Sequence, residues 1–470
     1  MKLKKIFILL PDGIGLKNFA FTSFAGLGKK MGWEVVFWNA TSFDLEKMGY
    51  REIKLQGRPR AKTDLLKRAK ITAELDLFTR KFNDPVYQSY KFRNPSKRIK
   101  EKVKNMLVSH YVFYNSSENG LRGLRKGMQA SEKKGNYYRD CLEVLKKEKP
   151  DFIFCTNQRP VTAIAPLTAA KDLGIKTGTF IFSWDNLPKA TMVIEPGYYF
   201  VWSEHMQREL IKYYPFIRND QISITGSPQF EPHFDPTLRR TRAEFFKENG
   251  LDEDKEYICF SGDDVTTSPY DPQYLEDVAG AVQVLNQKNY NLGIIFRRNP
   301  VDHSDRYDPI LKEFEDIIVP LDPKWKEYSS GWTNILPTQK DVELQINTIL
   351  HTKAVINLAS SMVFDYVAFE KPCLYINYNV NSGKSKDWSV EKVYNFIHFR
   401  SMPSKNAVFW LNSKEEIAEK LKLVLSATPE DLEETKKWFQ KINLHPPQEA
   451  SQRIWEEIER IISISNGGND

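Results

Sequence analysis

Cysteine is scarce in this chain, with 4 in 470 residues. Cys141, Cys155, Cys259 and Cys373 lie far apart, with no CxxC pair and no neighbouring histidines. That spacing suggests neither a disulfide framework nor a zinc site and fits a reducing, cytoplasmic setting. Long apolar runs are missing as well. Nothing approaches the roughly 18 to 20 apolar residues that span a bilayer, so membrane contact would be peripheral, on the inner face of the cell membrane. The lysine-led run ending in Ile6-Phe-Ile-Leu-Leu10 is too short for a signal peptide and is followed by Pro11-Asp12-Gly13 rather than a small-residue cleavage pattern. It reads as a buried first strand. No solenoid-period repeat breaks the chain into identical units.

What is present describes a globular protein. Hydrophobic residues make up 41%, charged residues 27% and aromatic residues 13%, outside the range of chains that stay disordered. At roughly 150 residues per domain the length predicts two or three domains. The 68 basic and 61 acidic residues leave a net charge of +7, too mild to mark a nucleic-acid binder, and no nucleic-acid partner is expected. This charge is unevenly spread. Residues 51–150 hold 26 Lys plus Arg against 11 Asp plus Glu, an excess of 15, so the rest of the chain is net negative. The segment reads as a helical basic insertion, either solvated or offered to an anionic lipid surface or acceptor polymer.

Around it the chain alternates strand and helix. An apolar strand, a glycine-bearing turn, a helix over about 18–31 and a strand over 34–39 open the sequence, and the same grammar resumes at 151 and runs to 225. Such β-α-β units build parallel sheets covered by helices. Gly226 and three prolines within residues 226–236 punctuate a domain boundary. A second series of strands and helices follows, with helices from about 413. The predicted organisation is an N-terminal Rossmann-like domain over 1–228 carrying the insertion, a C-terminal one over 229–430, and helices over 431–470 that pack back.

In open parallel sheets, ligands bind beyond the carboxyl ends of the strands. In the second domain those ends carry Ser261 and Gly262, where backbone can approach a ligand, and Arg297 and Arg298, suited to bidentate phosphate contact. Next come Ser360 and Ser361, which open a helix, and Asp365 one turn on, placed for a ribose diol. Each has a plainer reading: the serines as helix caps, one arginine pointing away by strand alternation, Asp365 as a solvated helix residue.

The runs Asp341-Val-Glu-Leu-Gln-Ile-Asn347, Val355-Ile-Asn-Leu-Ala-Ser-Ser-Met-Val-Phe-Asp365 and Phe369-Glu-Lys-Pro-Cys-Leu-Tyr-Ile376 resemble the donor domain of GT-B glycosyltransferases. Asp12-Gly-Ile-Gly-Leu-Lys-Asn18, Ser183-Trp-Asp-Asn-Leu187, Trp202-Ser-Glu and Ile224-Thr-Gly-Ser-Pro228 are similar to bacterial surface-polysaccharide members and to the related CDP-glycerol glycerophosphotransferases. The likeness covers about 1–40 and 150–430 and leaves the insertion unmatched.

The resemblance implies an α/β fold of GT-B type, two Rossmann-like doubly wound domains across a cleft, and transfer of a sugar from a nucleotide-sugar to a surface-glycan or lipid-linked acceptor. Ser360 and Ser361 would then contact the diphosphate, Asp365 the ribose and backbone at Leu336 and Pro337 the base, while Arg298 would neutralise the leaving nucleotide without a metal. No cofactor is implied, since the nucleotide-sugar is a substrate. The glutamate pair of many retaining members is lacking here: seven residues after Asp365 stands Pro372. Inversion is therefore favoured, and it needs a base. Asp12 and Asp185 are the candidates, with Gly13, Gly15, Asn18, Trp184 and Asn186 as acceptor contacts. Turn chemistry with Gly13 is the plainer role for Asp12. Two alternatives stay open. One is a CDP-alcohol phosphotransferase of teichoic-acid type, whose relatives use two histidines where this chain has only a displaced His303; the other is a non-catalytic nucleotide-binding protein.

Overall fold

The structure, a computed structural model, describes residues 3–91, 99–327, 335–380 and 388–464. These fall into two compact units, one of residues 1–229 and 442–470, the other of 230–441.

The first unit is built on seven parallel strands: β1 (Lys4–Leu10), β2 (Trp33–Asn39), β3 (Arg51–Lys54), β4 (Phe152–Cys155), β5 (Lys176–Phe180), β6 (Tyr198–Val201) and β7 (Ile222–Ile224). Their spatial order is β3-β2-β1-β4-β5-β6-β7. The chain therefore winds outward from β1 in one direction and, from β4, in the other. The switch point lies between β1 and β4, where Leu9 pairs with Cys155. β1 and β4 read as continuous apolar runs because both faces of the sheet are covered.

The basic insertion supplies much of that cover. Helices Ala61–Lys81, Glu118–Glu132 and Asn136–Glu148 bury Leu66, Ala69, Leu124, Met128 and Leu145 in one cluster with Phe7, Trp38 and Ile153 of the sheet. Among the described residues its lysines and arginines stay at least partly exposed, apart from the buried Lys70 and Arg125, while apolar residues three or four apart face in. The segment is thus part of the core of the first unit and not a solvated appendage.

Two elements differ from the sequence expectation. The single helix expected over about 18–31 is two short ones, Ile14–Phe19 and Phe24–Lys30, and between them the Thr22 hydroxyl donates to the Asn18 carbonyl (2.7 Å) and accepts from the Phe24 amide (3.4 Å). β3, with the sequence Arg-Glu-Ile-Lys, has no apolar alternation and exists because it pairs with β2. At the other end of the chain, helix Ala450–Ser463 packs on Phe24–Lys30. There Trp455 stacks on Phe24 with ring centroids 5.1 Å apart and donates to its carbonyl at 2.8 Å. A Cβ on Gly28 would lie 2.1 Å from the Trp455 ring, so only glycine admits that indole.

The second unit holds β8 (Glu256–Ser261), β9 (Leu292–Arg297), β10 (Ile318–Pro320), β13 (Val355–Asn357), β14 (Cys373–Ile376) and β15 (Phe409–Leu411), in the order β10-β9-β8-β13-β14-β15. A separate antiparallel pair joins β11 (Lys326–Glu327) to β12 (Ile335–Leu336). Here the switch point falls between β8 and β13. No helix among the described residues is long and apolar enough to cross a membrane.

One buried ion pair ties the insertion to the sheet. Lys70 and Glu74, one turn apart, are both inaccessible and 2.5 Å from each other, and Lys70 also donates to the carbonyls of Ala190 and Met192. Burial pushes the Lys70 ammonium down and the Glu74 carboxyl up, each opposed by the other's charge. Lys70→Ala strands Glu74 and should cost about 3–5 kcal/mol in chemical denaturation. The double change Lys70→Met with Glu74→Leu removes both charges and should cost far less. Equal losses in the two proteins would show that the pair does not hold the helix.

Candidate functional site

The first sheet gathers polar side chains just beyond β1, β4 and β5. Asp12, two residues past β1, is half-buried. Its Oδ2 accepts from Asn157 Nδ2 at 2.7 Å and its Oδ1 from the Ile14 amide at 3.2 Å. Burial pushes the Asp12 carboxyl up to about 6, against the pull of the Ile14 amide, the Arg159 charge, Asn157 and Lys67. Lys67 lies on insertion helix Ala61–Lys81, so the insertion contributes a charge to this carboxylate.

Asn157 is itself held, its Oδ1 accepting from the Arg159 amide at 3.1 Å. Next to it, the inaccessible Gln158 donates to Asn186 Oδ1 at 3.1 Å and to Thr191 Oγ1 at 3.3 Å. Asn186 in turn donates to Asp185 at 2.7 Å, and Asp185 also accepts from Ser183 Oγ at 2.6 Å and pairs with Lys189. Both candidate bases are thus tied to consecutive residues of the β4 exit, Asp12 to Asn157 and Asp185 through Asn186 to Gln158. Of the two, Asp185 is paired directly with a cation, Lys189, whereas Asp12 is hydrogen-bonded by two amides and feels Arg159 and Lys67 through their charge. Gly15 lets the first short helix sit against β4, since a Cβ there would lie 2.3 Å from Thr156 Oγ1. Gly13 begins that helix, and Asn18 and Trp184 are buried, so Trp184 offers no open ring face to stack on a sugar.

In the second sheet the expected residues divide. Arg297 is buried and holds Asp341, with Nη2 3.0 Å from both carboxylate oxygens. Asp341 also accepts from the Lys324 amide (2.9 Å) and the Trp325 indole (2.7 Å). This corrects the reading of Arg297 as a phosphate contact: strand alternation turns it into the domain, where it holds Asp341 and, through it, Lys324 and Trp325. Arg298 points the other way. It donates to the Ser304 carbonyl at 2.5 Å, lies 5.2 Å from the Tyr307 ring centroid and has Asp308 and Asp322 at 3.6 and 3.8 Å. Asp365 is buried with His233, whose Nε2 is 2.8 Å from its Oδ1. Its place on the helix was read correctly and its partner was not, because His233 is 132 residues away in sequence and no local pattern links them. Leu336 and Pro337 are buried at and beside β12.

What remains open lies at the β8–β13 switch point. Ser261 ends β8, and Gly262 follows with its amide donating to the Arg297 carbonyl at 2.9 Å. Across from them Ala359 adopts φ +60°, a left-handed backbone that a non-glycine residue takes at a cost, and turns Ser360 and the exposed Ser361 away from β13. Ser360 is held by its amide on Asn357 Oδ1 (2.9 Å) and by its carbonyl, which accepts from Tyr375 OH (2.7 Å).

One group beside this turn escaped the sequence reading. Asp263, after Gly262, is pushed up to about 8 by burial and by the neighbouring Asp271, which accepts from the Asp263 amide at 2.9 Å and from Tyr307 OH at 2.7 Å. A carboxyl with that affinity for protons is mostly neutral at pH 7 and can donate a hydrogen bond. The available signal was a second acid, Asp271, eight residues on, and nothing in that spacing reveals that Asp271 is buried and Asp263 half-buried. Among the described residues no group of three or more His, Cys, Asp and Glu is placed to hold a metal ion.

A scan against protein-family models finds no match to this sequence, and a search of curated proteins finds none either. Solved structures do resemble it over nearly the whole chain. A glycosyltransferase from Rickettsia africae superposes with a TM-score of 0.52 at 12% identity, covering 100% of each chain. A UDP-GlcNAc 2-epimerase from Methanocaldococcus jannaschii gives 0.51 at 14% identity over 97% of this chain and 99% of its own. MnaA of S. aureus, solved with UDP, gives 0.51 at 12% over 98% and 97%. At such identities the likeness establishes architecture. The chain has the two-domain α/β fold of the GT-B type.

Proposed function

We propose that this protein is a glycosyltransferase that moves a sugar from a nucleotide-sugar to a surface-glycan or lipid-linked acceptor, with inversion and without a metal. The observation that carries the reading is Asp12: a carboxylate at the switch point of the first sheet, bound by amides and poised near pH 6. An inverting transfer needs a group there that is ionised at neutral pH yet basic enough to take the acceptor's proton as the new bond forms. Asp185 fits that role less well because Lys189 holds its charge.

The donor is assigned to the second sheet. Gly262 and the Ser360–Ser361 turn offer close backbone approach and hydroxyls for phosphate oxygens. Arg298 is the cation left over once Arg297 is committed to Asp341, and it reaches a leaving nucleotide by exchanging its contact with the Ser304 carbonyl. The fold's neighbours described as a glycosyltransferase and as bound to UDP support a nucleotide-sugar substrate.

Thermal-shift screening of the full chain against UDP-, GDP-, CMP- and dTDP-sugars, followed by mass analysis of the products, tests this. A transferred or hydrolysed sugar supports the proposal. An epimerised sugar would place the chain with the epimerases of its fold, turnover of a CDP-alcohol with the phosphotransferases, and binding without turnover would leave a nucleotide-binding protein.

Asp12→Asn should lower kcat by about 10²- to 10⁴-fold while the nucleotide still shifts the melting temperature. The rate should fall as pH drops through about 6, since the base works only when ionised. Asn157→Ala removes a hydrogen bond that favours the charged form, so its midpoint should move to higher pH. An unmoved midpoint would assign Asn157 to packing alone. Chelation by EDTA should leave the rate unchanged.

A further inference from the structure

Among the described residues, helix Ile99–Asn115 of the insertion differs from the other long helices in burying none of its residues. It is nevertheless rich in large apolar side chains. Ile99, Val103, Met106 and Phe113, at spacings of four, three and seven, share one face, and Leu107 and Tyr114 flank it. Ile99 is 79% exposed, Met106 65%, Phe113 80% and Tyr114 67%. Six of the fourteen exposed large hydrophobic residues among the described residues lie on this one helix. Its other face, with Val108, Tyr111 and Val112, packs on the core cluster, so the helix is properly seated and the stripe is what it presents outward. His110 is the polar member of that stripe, its ring edge-on to Tyr114 at 5.0 Å.

The charges flanking the stripe have one sign. Lys100 and Lys102 are exposed at its start. Glu101, the one acid of the helix, turns toward Arg68 (3.5 Å), and Lys104 is neutralised by Asp64 (2.8 Å). The whole segment of residues 51–150 carries an excess of 15 positive charges. An apolar and aromatic stripe edged by lysines matches the boundary of a bilayer, where apolar side chains enter the acyl region and ammonium groups meet anionic headgroups. At seventeen residues with three lysines the helix lies on such a surface and does not cross it. A second copy of this chain is a poorer fit, since it would bring two strongly positive surfaces together.

We propose that the outward face of helix Ile99–Asn115 docks the protein on an anionic lipid bilayer. This stands apart from the transferase reading and holds whether or not the chain transfers sugar. The neighbouring helix Ala61–Lys81, on which it packs, carries Lys67 and Lys70 toward Asp12 and the Ala190–Met192 segment, so the lipid surface would lie one helix away from the polar cluster of the first sheet.

Cosedimentation of the full chain with vesicles of phosphatidylglycerol and phosphatidylcholine, and with phosphatidylcholine alone, tests it. The expected result is binding to the anionic vesicles, weaker in high salt and lowered about ten-fold or more by Met106→Ser with Phe113→Ser. Lys100→Glu with Lys102→Glu should lower it too and flatten the salt dependence. All four positions are outside the core, so circular dichroism and melting should match the parent. Three results would overturn the proposal: no sedimentation with anionic vesicles, serine variants that bind as the parent does, or a solution dimer abolished by the same serine changes, which would give the stripe to a second copy.

Discussion

The hydrogen bond from Asn157 to Asp12 spans the switch point of the first sheet, and the polar cluster at its strand ends is built around it. A parallel sheet covered on both faces leaves its strand ends as the place where polar side chains can gather without being smothered. The chain leaves β1 and β4 in neighbouring positions, so the residues two steps beyond each meet. Gly15 allows the following helix to close on Thr156. The result is a carboxylate partly withdrawn from water, which raises its proton affinity, and met by amides, which keep it from rising further.

Charges elsewhere follow a different rule. Arg297–Asp341, Asp365–His233 and Lys70–Glu74 are buried pairs in which each member answers the other, and burial of one alone would be costly. Such pairs hold segments in place: Lys324 and Trp325 through Asp341 against the second sheet, residues near 233 against the helix of Asp365, and the insertion against the Ala190–Met192 segment. Groups committed in this way are poor ligands for a substrate. Asp12 and Ser360 are held by hydrogen bonds at strand ends instead, and Arg298 faces the exposed Asp308 and Asp322.

The insertion joins these themes. Its inward positions complete the first core, Lys67 acts on Asp12, Lys70 braces the segment after Asp185, and helix Ile99–Asn115 leaves an apolar stripe in water. The basic segment is therefore central to the first unit.

Strand and helix order, the doubly wound class and the placing of Asp12, Arg298 and Ser360 at strand ends were legible in the sequence, because apolar periodicity and turn residues are local and the strand-end rule needs only their order. β3 was not, since its sequence lacks alternation and pairing with β2 alone makes it a strand. Nor were the partners of Arg297 and Asp365, the burial of Trp184 or the proton affinity of Asp263. These depend on which side chains meet across dozens of residues and on how much water is excluded when they do, and only the folded chain settles either.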